Sequence, residues 1–189
     1  MDQTEHRRQD IGWGKLLGLL LLAAAVLMIV WPAMRQAGPG EFPVPVGTPR
    51  PPMMASGWLN TGADAAAPNW TTDSLKGRVT VVDCWASWCP PCQAAMPELA
   101  KLYAKYQPLG VEFVGLTPES EKDRDKVQRF MHSVPGFRWP VGYGASPTLD
   151  MLGISGLPTV IVFGADGRAR WSGHWLEGIE QALDQALAE

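Results

Sequence analysis

Residues 79–92 read VTVVDCWASWCPPC, and this stretch decides the fold of the chain. The nearly continuous apolar run from Val79 to Trp85 predicts a buried central strand in a sheet with parallel strands. The pattern from Pro90 to Tyr106 predicts an amphipathic helix, with a kink expected at Pro97. A C-x-x-C pair between such a strand and such a helix is typical of a redox-active dithiol.

The spacing of the two cysteines suits thiol–disulfide chemistry. Because proline is favoured in the first turn of a helix, Pro90 and Pro91 predict Cys89 at the mouth of the helix and Cys92 one turn inside it. The partial positive charge and the free N–H groups of a helix N-terminus favour a thiolate on Cys89. We therefore expect Cys89 to be the nucleophile and Cys92 to close the disulfide.

A structural disulfide and half of a zinc site are the other uses of such a pair. A disulfide across two prolines closes almost no loop and constrains the unfolded chain little. A zinc site needs a second pair of ligands, but the chain has three Cys, three His and no second C-x-x-C. We expect no metal and no organic cofactor, since the Cys89–Cys92 disulfide itself carries the electrons. Cys84 is expected to be a buried small hydrophobe, and His132 and His174 are expected at the surface.

A long apolar stretch near the N-terminus predicts a membrane-spanning helix. Residues 16–34 carry no charge before Arg35 and begin LLGLLLLAAAVLMIV, which is long enough to cross a bilayer. Trp13 and Trp31 would lie roughly 27 Å apart in a helix, one at each interface. Basic residues concentrate before the span, which puts the N-terminus in the cytoplasm. A cleaved signal peptide is the alternative, although Arg35 spoils the cleavage site that would end at Ala37.

Length and charge place further limits on organisation and partners. The 189 residues suffice for one domain and an appendage, and the net charge of −3 argues against a nucleic-acid partner. We predict a cytoplasmic N-terminus at residues 1–15, a transmembrane signal anchor at 16–34, a Pro/Gly-rich linker at 35–57 and a globular domain at 58–189. The linker is expected to be either a semi-extended spacer or a disordered tail.

The domain is predicted to be an α/β fold, with a mixed central sheet flanked by helices. Beyond the strand and helix around the dithiol, the predicted elements are an edge strand at Trp58–Asn60, a strand at Val111–Thr117, a helix at Glu121–Ser133, a short helix at Pro147–Leu152, a hairpin of Pro158–Phe163 with Arg168–Gly173 that turns at Asp166-Gly167, and a last helix at Leu176–Ala188.

The order of these elements and two motifs resemble the thioredoxin superfamily, most closely its membrane-anchored, extracytoplasmic TlpA/ResA-like branch. The resemblance covers roughly residues 58–189. Its second motif is Gly156-Leu157-Pro158-Thr159 before the apolar run VIVF. Its strongest stretch is LKGRVTVVDCWASWCPPCQAAMPEL at residues 75–99, where the family positions are matched by Trp85, Ala86, Trp88, Cys89, Pro91, Cys92 and Pro97.

The resemblance implies a thioredoxin-like fold and a thiol–disulfide oxidoreductase tethered outside the bacterial cytoplasmic membrane. Its partners would be protein dithiols and disulfides, net reduction is the expected direction, and a monomer is expected. Pro158 is implied to be cis and to bind substrate together with Trp88, Pro91 and Leu157. A proline at a strand start also lacks an N–H, which leaves the preceding backbone free to pair with a peptide. A net oxidase or isomerase of this fold, or a peptide-binding module without turnover, are the alternatives.

Asp83 lies six residues before the first cysteine, and on a strand it shares a face with Trp85 while Cys84 points to the other face. Burial should raise the pKa of this carboxyl toward neutrality, so that it can take the proton from Cys92 during attack on the mixed disulfide. The resemblance matches Asp83 to the buried aspartate of thioredoxins. Many TlpA-like proteins instead carry a glutamate where this chain has Ala95. A structural, hydrogen-bonded aspartate is the alternative role.

The predicted anchor can be tested by fractionation. Because residues 16–34 are apolar throughout, the full-length protein is expected to stay in the membrane pellet after a carbonate wash, whereas a shortened chain that begins near Ala55 is expected in the supernatant. Recovery of a mature N-terminus downstream of Met34 would instead identify a signal peptide.

Overall fold

The computed structural model describes Gly18, residues 43–61 and residues 74–189, and this part of the chain forms a six-stranded mixed sheet. The strands are β1 (Gly57–Leu59), β2 (Thr80–Cys84), β3 (Glu112–Thr117), β4 (Val141–Tyr143), β5 (Thr159–Phe163) and β6 (Ala169–Gly173). They lie side by side in the order β1-β4-β3-β2-β5-β6. Strand β3 is parallel to β2 and to β4, whereas β1 is antiparallel to β4, β5 to β2, and β6 to β5.

Strand β2 occupies the centre of the sheet, and all five of its residues are buried. It pairs with β3 on one edge and with β5 on the other, so that Asp83 lies opposite Gly115 and Val160. A strand covered on both faces needs apolar side chains on both, which explains the continuous hydrophobic run in the sequence. The end of β2 leads directly into the loop that carries the dithiol.

Four helices are described in residues 43–61 and 74–189: α1 (Pro90–Tyr106), α2 (Arg124–Ser133), α3 (Ser146–Met151) and α4 (Ile179–Ala188). Helix α1 is capped by Cys89, and its first turn contains proline, as the sequence predicts. A 3₁₀ turn at Gln107–Leu109 ends this segment, followed by Gly110 with a left-handed φ of 89°. A second 3₁₀ turn, Glu121–Asp123, precedes α2.

Each face of the sheet packs into its own apolar cluster. Helices α1, α2 and α4 cover one face, where the buried side chains include Val81, Trp85, Met96, Leu99, Tyr106, Val127, Met131, Val160, Val162, Ile179 and Leu183. The other face is covered by the short helix α3 and by residues from the segment before β1, and its cluster includes Val44, Met53, Val82, Cys84, Leu116, Leu149, Leu152, Ile161 and Phe163. The predicted mixed sheet with helices on both faces is therefore confirmed.

The segment before β1 corrects the predicted linker at 35–57, because its residues from 43 onward pack on the domain. The side chain of Val44 is fully buried, and its backbone N–H donates to the hydroxyl of Ser172 at 3.0 Å. Arg50 is also buried and donates to the hydroxyl of Thr80 at 2.9 Å. The six-residue helix α3 is too short to cover its face of the sheet alone, so this segment completes the cover. The compact domain thus begins well before residue 58.

Most predicted element boundaries lie within a few residues of the observed ones. Helix α1 spans Pro90–Tyr106 as predicted, and the β5–β6 hairpin turns at Asp166-Gly167, where Gly167 has a φ of 75°. Strand β4 was not predicted, because three residues with a central glycine carry no clear periodicity. The last helix begins at Ile179, later than predicted, since Gly178 adopts a left-handed conformation with a φ of 82°.

The predicted cytoplasmic N-terminus at 1–15 and the predicted span at 16–34 lie outside the described residues, apart from Gly18. Among the residues that the structure does describe, no helix has both the length and the hydrophobicity needed to cross a bilayer.

Candidate active site

Cys89 and Cys92 form a disulfide at the N-terminus of α1, with their Cα atoms 5.3 Å apart. Cys89 is the N-cap residue, and the backbone N–H of Cys92 points at its sulfur at 3.3 Å. A free N–H group aimed at the sulfur, together with the positive end of the helix dipole, stabilises negative charge there. The helix geometry predicted from the two prolines is therefore confirmed, and it suits a thiolate on Cys89.

The two sulfurs differ in access. The Cys92 side chain is fully buried, whereas Cys89 retains 4% exposure and lines a groove. Of the two sulfurs, that of Cys89 is therefore the one that a molecule in the groove can reach. In the disulfide form, however, only a small part of the Cys89 surface is exposed. This exposure is smaller than we expected for a residue at the mouth of the helix.

The groove beside the dithiol has a volume of about 460 Å³. It runs between the loop that joins β2 to α1 (residues 85–89, called the dithiol loop), helix α3 and the segment before β5. Its surface is mostly apolar. Among the described residues that line it, Asp150 alone is charged, and Trp88, which is 66% exposed, forms a rim. The lining residues are Trp88, Cys89, Pro90, Pro91, Pro118, Ser146, Leu149, Asp150, Ile154, Ser155, Gly156 and Leu157.

The segment before β5 carries the predicted proline. The Leu157–Pro158 bond is cis, as expected from the resemblance, and Leu157 lines the groove. The carbonyl of Pro158 lies 2.7 Å from Nδ1 of His174. Since a carbonyl can only accept, Nδ1 carries the hydrogen. His174 is exposed as predicted, but its contact with Pro158 was not foreseen, because the two residues meet only through the β5–β6 hairpin.

Asp83 is buried in the middle of β2, with 2% of its surface exposed. Strand alternation places it on the face of Trp85 and the disulfide, while Cys84 packs in the opposite cluster. Its Oδ2 atom has no hydrogen-bond partner among the residues that the structure describes, and burial raises the pKa of the Asp83 carboxyl to about 8. Burial first, and the nearby Asp83 second, raise the pKa of Cys84 above its usual range. The predicted rise for Asp83 is thus confirmed, and Cys84 stays a neutral thiol.

One acidic residue near the dithiol was not predicted to have a role. Glu119, two residues beyond the end of β3, is 6% exposed, and its carboxylate accepts hydrogen bonds from the backbone and the hydroxyl of Ser87. A usable signal was present in the sequence: polar residues just after parallel strands gather at one edge of the sheet, where such folds place their sites. No group of three or more His, Cys, Asp or Glu side chains among the described residues is placed to hold a metal.

Comparisons with known proteins identify the family of the chain. The Redoxin family profile matches residues 52–174, more than half of the chain, so the chain belongs to the Redoxin family. Its relatives include the thiol-disulfide oxidoreductase ResA of Bacillus anthracis, 30% identical over 95 residues, which are 50% of this chain and 53% of the relative. ResA of Bacillus subtilis strain 168 is 32% identical over 121 residues, 58% of this chain and 65% of the relative. The chain spans about half the length of the first of these relatives.

Solved structures show the same fold. A thiol:disulfide interchange protein from Chlorobium tepidum aligns with a TM-score of 0.58 at 24% identity, over 75% of this chain and 97% of that one. The thioredoxin domain of a thiol-disulfide oxidoreductase from Bacteroides vulgatus aligns with a TM-score of 0.62 at 16% identity, over 76% and 99%. The predicted thioredoxin-like fold and the resemblance to ResA-like members of the thioredoxin superfamily are therefore confirmed.

The buried carboxyl of Asp83 predicts a pH-dependent gain in stability for Asp83→Asn. In the unfolded chain the carboxyl ionises above its usual pKa of 3.8, but in the folded chain it stays protonated up to about pH 8. The wild type therefore loses stability as the pH rises between these values, by up to about 4 kcal/mol at pH 7. Urea unfolding should show Asp83→Asn to be the more stable protein at pH 7, with its advantage shrinking toward pH 4.

An exposed acid provides the matched control for this measurement. Asp125→Asn in the first turn of α2 removes a favourable interaction with the helix dipole, so it should lower the free energy of unfolding by less than about 1 kcal/mol at pH 7, opposite in sign to the effect of Asp83→Asn. A stability difference for Asp83→Asn that is the same at pH 4 and pH 7 would contradict the proposed cause.

Proposed function

We propose that this protein is a thiol–disulfide oxidoreductase whose Cys89–Cys92 pair reduces disulfides of partner proteins. The observation that carries the proposal is the disulfide at the N-terminus of α1, with one sulfur at an open apolar groove and the other buried. That arrangement supplies an accessible nucleophile and a protected resolving thiol, which are the two parts that disulfide exchange needs. The names of the ResA relatives support the same activity.

In the reducing direction, the Cys89 thiolate attacks one sulfur of the partner disulfide. A Cys89–partner disulfide forms, and the other partner sulfur leaves as a thiolate that takes a proton from water. Cys92 then loses its proton and attacks the Cys89 sulfur, which releases the second partner thiol. The partner gains two electrons, and Cys89–Cys92 becomes the disulfide seen here. An external dithiol must return the two electrons. The pair itself is the redox group, and the proposal invokes no further cofactor.

Asp83 is the proposed proton acceptor for Cys92. It lies on the face of the sheet that α1 covers, and within residues 43–61 and 74–189 one of its oxygens has no hydrogen-bond partner. With a pKa of about 8, roughly a tenth of the Asp83 carboxyls are ionised at pH 7. This value lies close to that of an ordinary thiol, so a proton can pass between Cys92 and Asp83 at small cost.

The groove is the proposed binding site for partner segments. Its walls include Trp88, Pro91 and Leu157, which offer apolar contact to a segment bound beside Cys89. Pro158 lacks an N–H, and the backbone before it borders the groove, so an extended segment could pair there. The partners are therefore proposed to be proteins that present a disulfide in an extended, apolar segment.

We also propose that residues 16–34 anchor the protein in the bacterial cytoplasmic membrane, with the domain outside and acting as a monomer. The uncharged stretch and the basic residues ahead of it support this placement. An oxidising compartment suits a protein whose substrates are disulfides.

Replacing each cysteine tests the proposed activity. Residues 43–189 should accelerate the reduction of insulin by dithiothreitol, measured by turbidity. Cys92→Ser should lose turnover and accumulate mixed disulfides with partners on non-reducing gels, because the resolving thiol is gone. Cys89→Ser should show neither. A binding module without turnover would leave insulin reduction at the uncatalysed rate, and faster alkylation of Cys92 than of Cys89 at mildly acidic pH would reverse the assignment.

Asp83 is predicted to control resolution rather than attack. In Asp83→Asn, release from the mixed disulfide should be about 10-fold to 100-fold slower at pH 7, because Cys92 loses its proton acceptor. The wild-type resolution rate should rise with pH through about 8 as the carboxyl ionises, and the variant should recover where Cys92 ionises directly. Stopped-flow measurement separates the two steps. An unchanged resolution rate at pH 7, or a loss confined to the initial attack, would remove Asp83 from the mechanism.

A further inference from the structure

Glu119 is bound to the dithiol loop through several short contacts. Its carboxylate accepts from the backbone N–H of Ser87 at 2.7 Å and from the hydroxyl of Ser87 at 2.5 Å. The hydroxyl of Thr117 donates to it at 3.0 Å. Hydrogen bonds to a carboxylate are charge-assisted and stronger than neutral ones. Glu119 therefore holds Ser87 firmly from the end of β3.

Ser87 is fixed on every side. While Glu119 binds its N–H and its hydroxyl, the carbonyl of Ser87 accepts from the side chain of Gln93 at 2.6 Å. Ser87 precedes Trp88, the rim of the groove, and lies two residues before Cys89. A loop whose central residue has no free polar group holds its neighbours in one geometry.

The same stretch also reaches the opposite wall of the groove. The carbonyl of Glu119 accepts from the N–H of Gly144 at 2.6 Å, and the carbonyl of Thr117 accepts from the N–H of Ala145 at 2.9 Å. Gly144 and Ala145 lead into helix α3, whose side chains line that wall, and Pro118 lines the groove itself. Residues 117–119 thus tie the dithiol loop to the start of α3.

Glu119 forms no salt bridge with any cation in the described part of the chain. Because two residues of chain span at most about 7 Å, its carboxylate lies within roughly 11 Å of the Cys89 Cα atom. A buried charge at that range is screened much less than one at the surface.

We propose that Glu119 is a positioning residue that fixes the dithiol loop, and that its negative charge lowers the reduction potential of the Cys89–Cys92 pair. The inference rests on the proposed redox function and gives it a direction. Reduction adds two electrons and one proton to the disulfide, leaving a thiolate on Cys89 and a thiol on Cys92. A fixed negative charge opposes the thiolate but does not act on the neutral disulfide. The pair therefore gives up electrons more readily.

Glu119→Gln in the full-length chain tests the charge, because glutamine has nearly the same size and keeps an oxygen that can accept from Ser87. The chain is equilibrated with glutathione redox buffers, and the reduced fraction is counted by alkylation and mass. The equilibrium constant for reduction should rise about tenfold in the variant, which corresponds to about 30 mV for a two-electron couple. The exposed Asp125→Asn serves as the charge control and should stay within twofold of the wild type.

Ser87→Ala separates charge from geometry, since it removes one hydrogen bond and leaves the charge in place. Its equilibrium constant should stay within threefold of the wild type. A tenfold shift in Ser87→Ala, or none in a folded Glu119→Gln, would overturn the electrostatic inference. Should Glu119→Gln not fold, hydrogen exchange in the wild type still tests the contact: the amide of Ser87 should be protected, and an unprotected amide would overturn the positioning role.

The outcomes also separate this inference from the proposed function. If the wild type does not take up two electrons reversibly in these buffers, the redox function itself fails. If it does, and Glu119→Gln has the same equilibrium constant, only the role of Glu119 fails.

Discussion

Strand β2 is bonded to a strand on each edge and covered by side chains on each face, so all five of its residues are buried. Both neighbouring strands set the register of this strand, since Asp83 lies opposite Gly115 of β3 and Val160 of β5. The loop that follows it therefore starts from a fixed point. Helix α1 begins six residues later, and its N-terminus is brought against the groove by the packing of its own apolar face.

The same burial makes the strand chemically useful at a cost in stability. A carboxyl in the middle of β2 is buried, and one of its oxygens has no hydrogen-bond partner among the described residues, so the protonated form is favoured. The folded domain would be more stable with an apolar residue in place of Asp83. In return, the carboxyl of Asp83 has a pKa near that of a thiol. It lies on the face of the sheet against which Cys92 of α1 packs. Cys84, the neighbour on the opposite face, shares the burial but not the site.

The groove is assembled from three loops that meet at one end of the sheet. One follows β2 and carries the dithiol, one follows β3 and carries Glu119, and one precedes β5 and carries Pro158. The first two loops are bonded to each other through Ser87 and Glu119, whereas Pro158 of the third is bonded to His174, which follows β6. A site built this way owes its geometry to polar contacts, whereas the core beneath it is held by apolar burial.

Much of the fold and the centre of the site could be read from the sequence, because both depend on local patterns. The apolar run before Cys89, the prolines after it and the Asp-Gly turn act over a few residues, and so they determined the central strand, the helix start and the hairpin. Contacts between distant residues were decided only by the tertiary structure. The packing of residues 43–57, the pairing of β4, the hydrogen bonds of Glu119 and the contact of His174 with Pro158 join segments far apart in the chain. The periodic pattern of apolar residues within a segment cannot predict such contacts, because they form only when the sheet brings distant segments together.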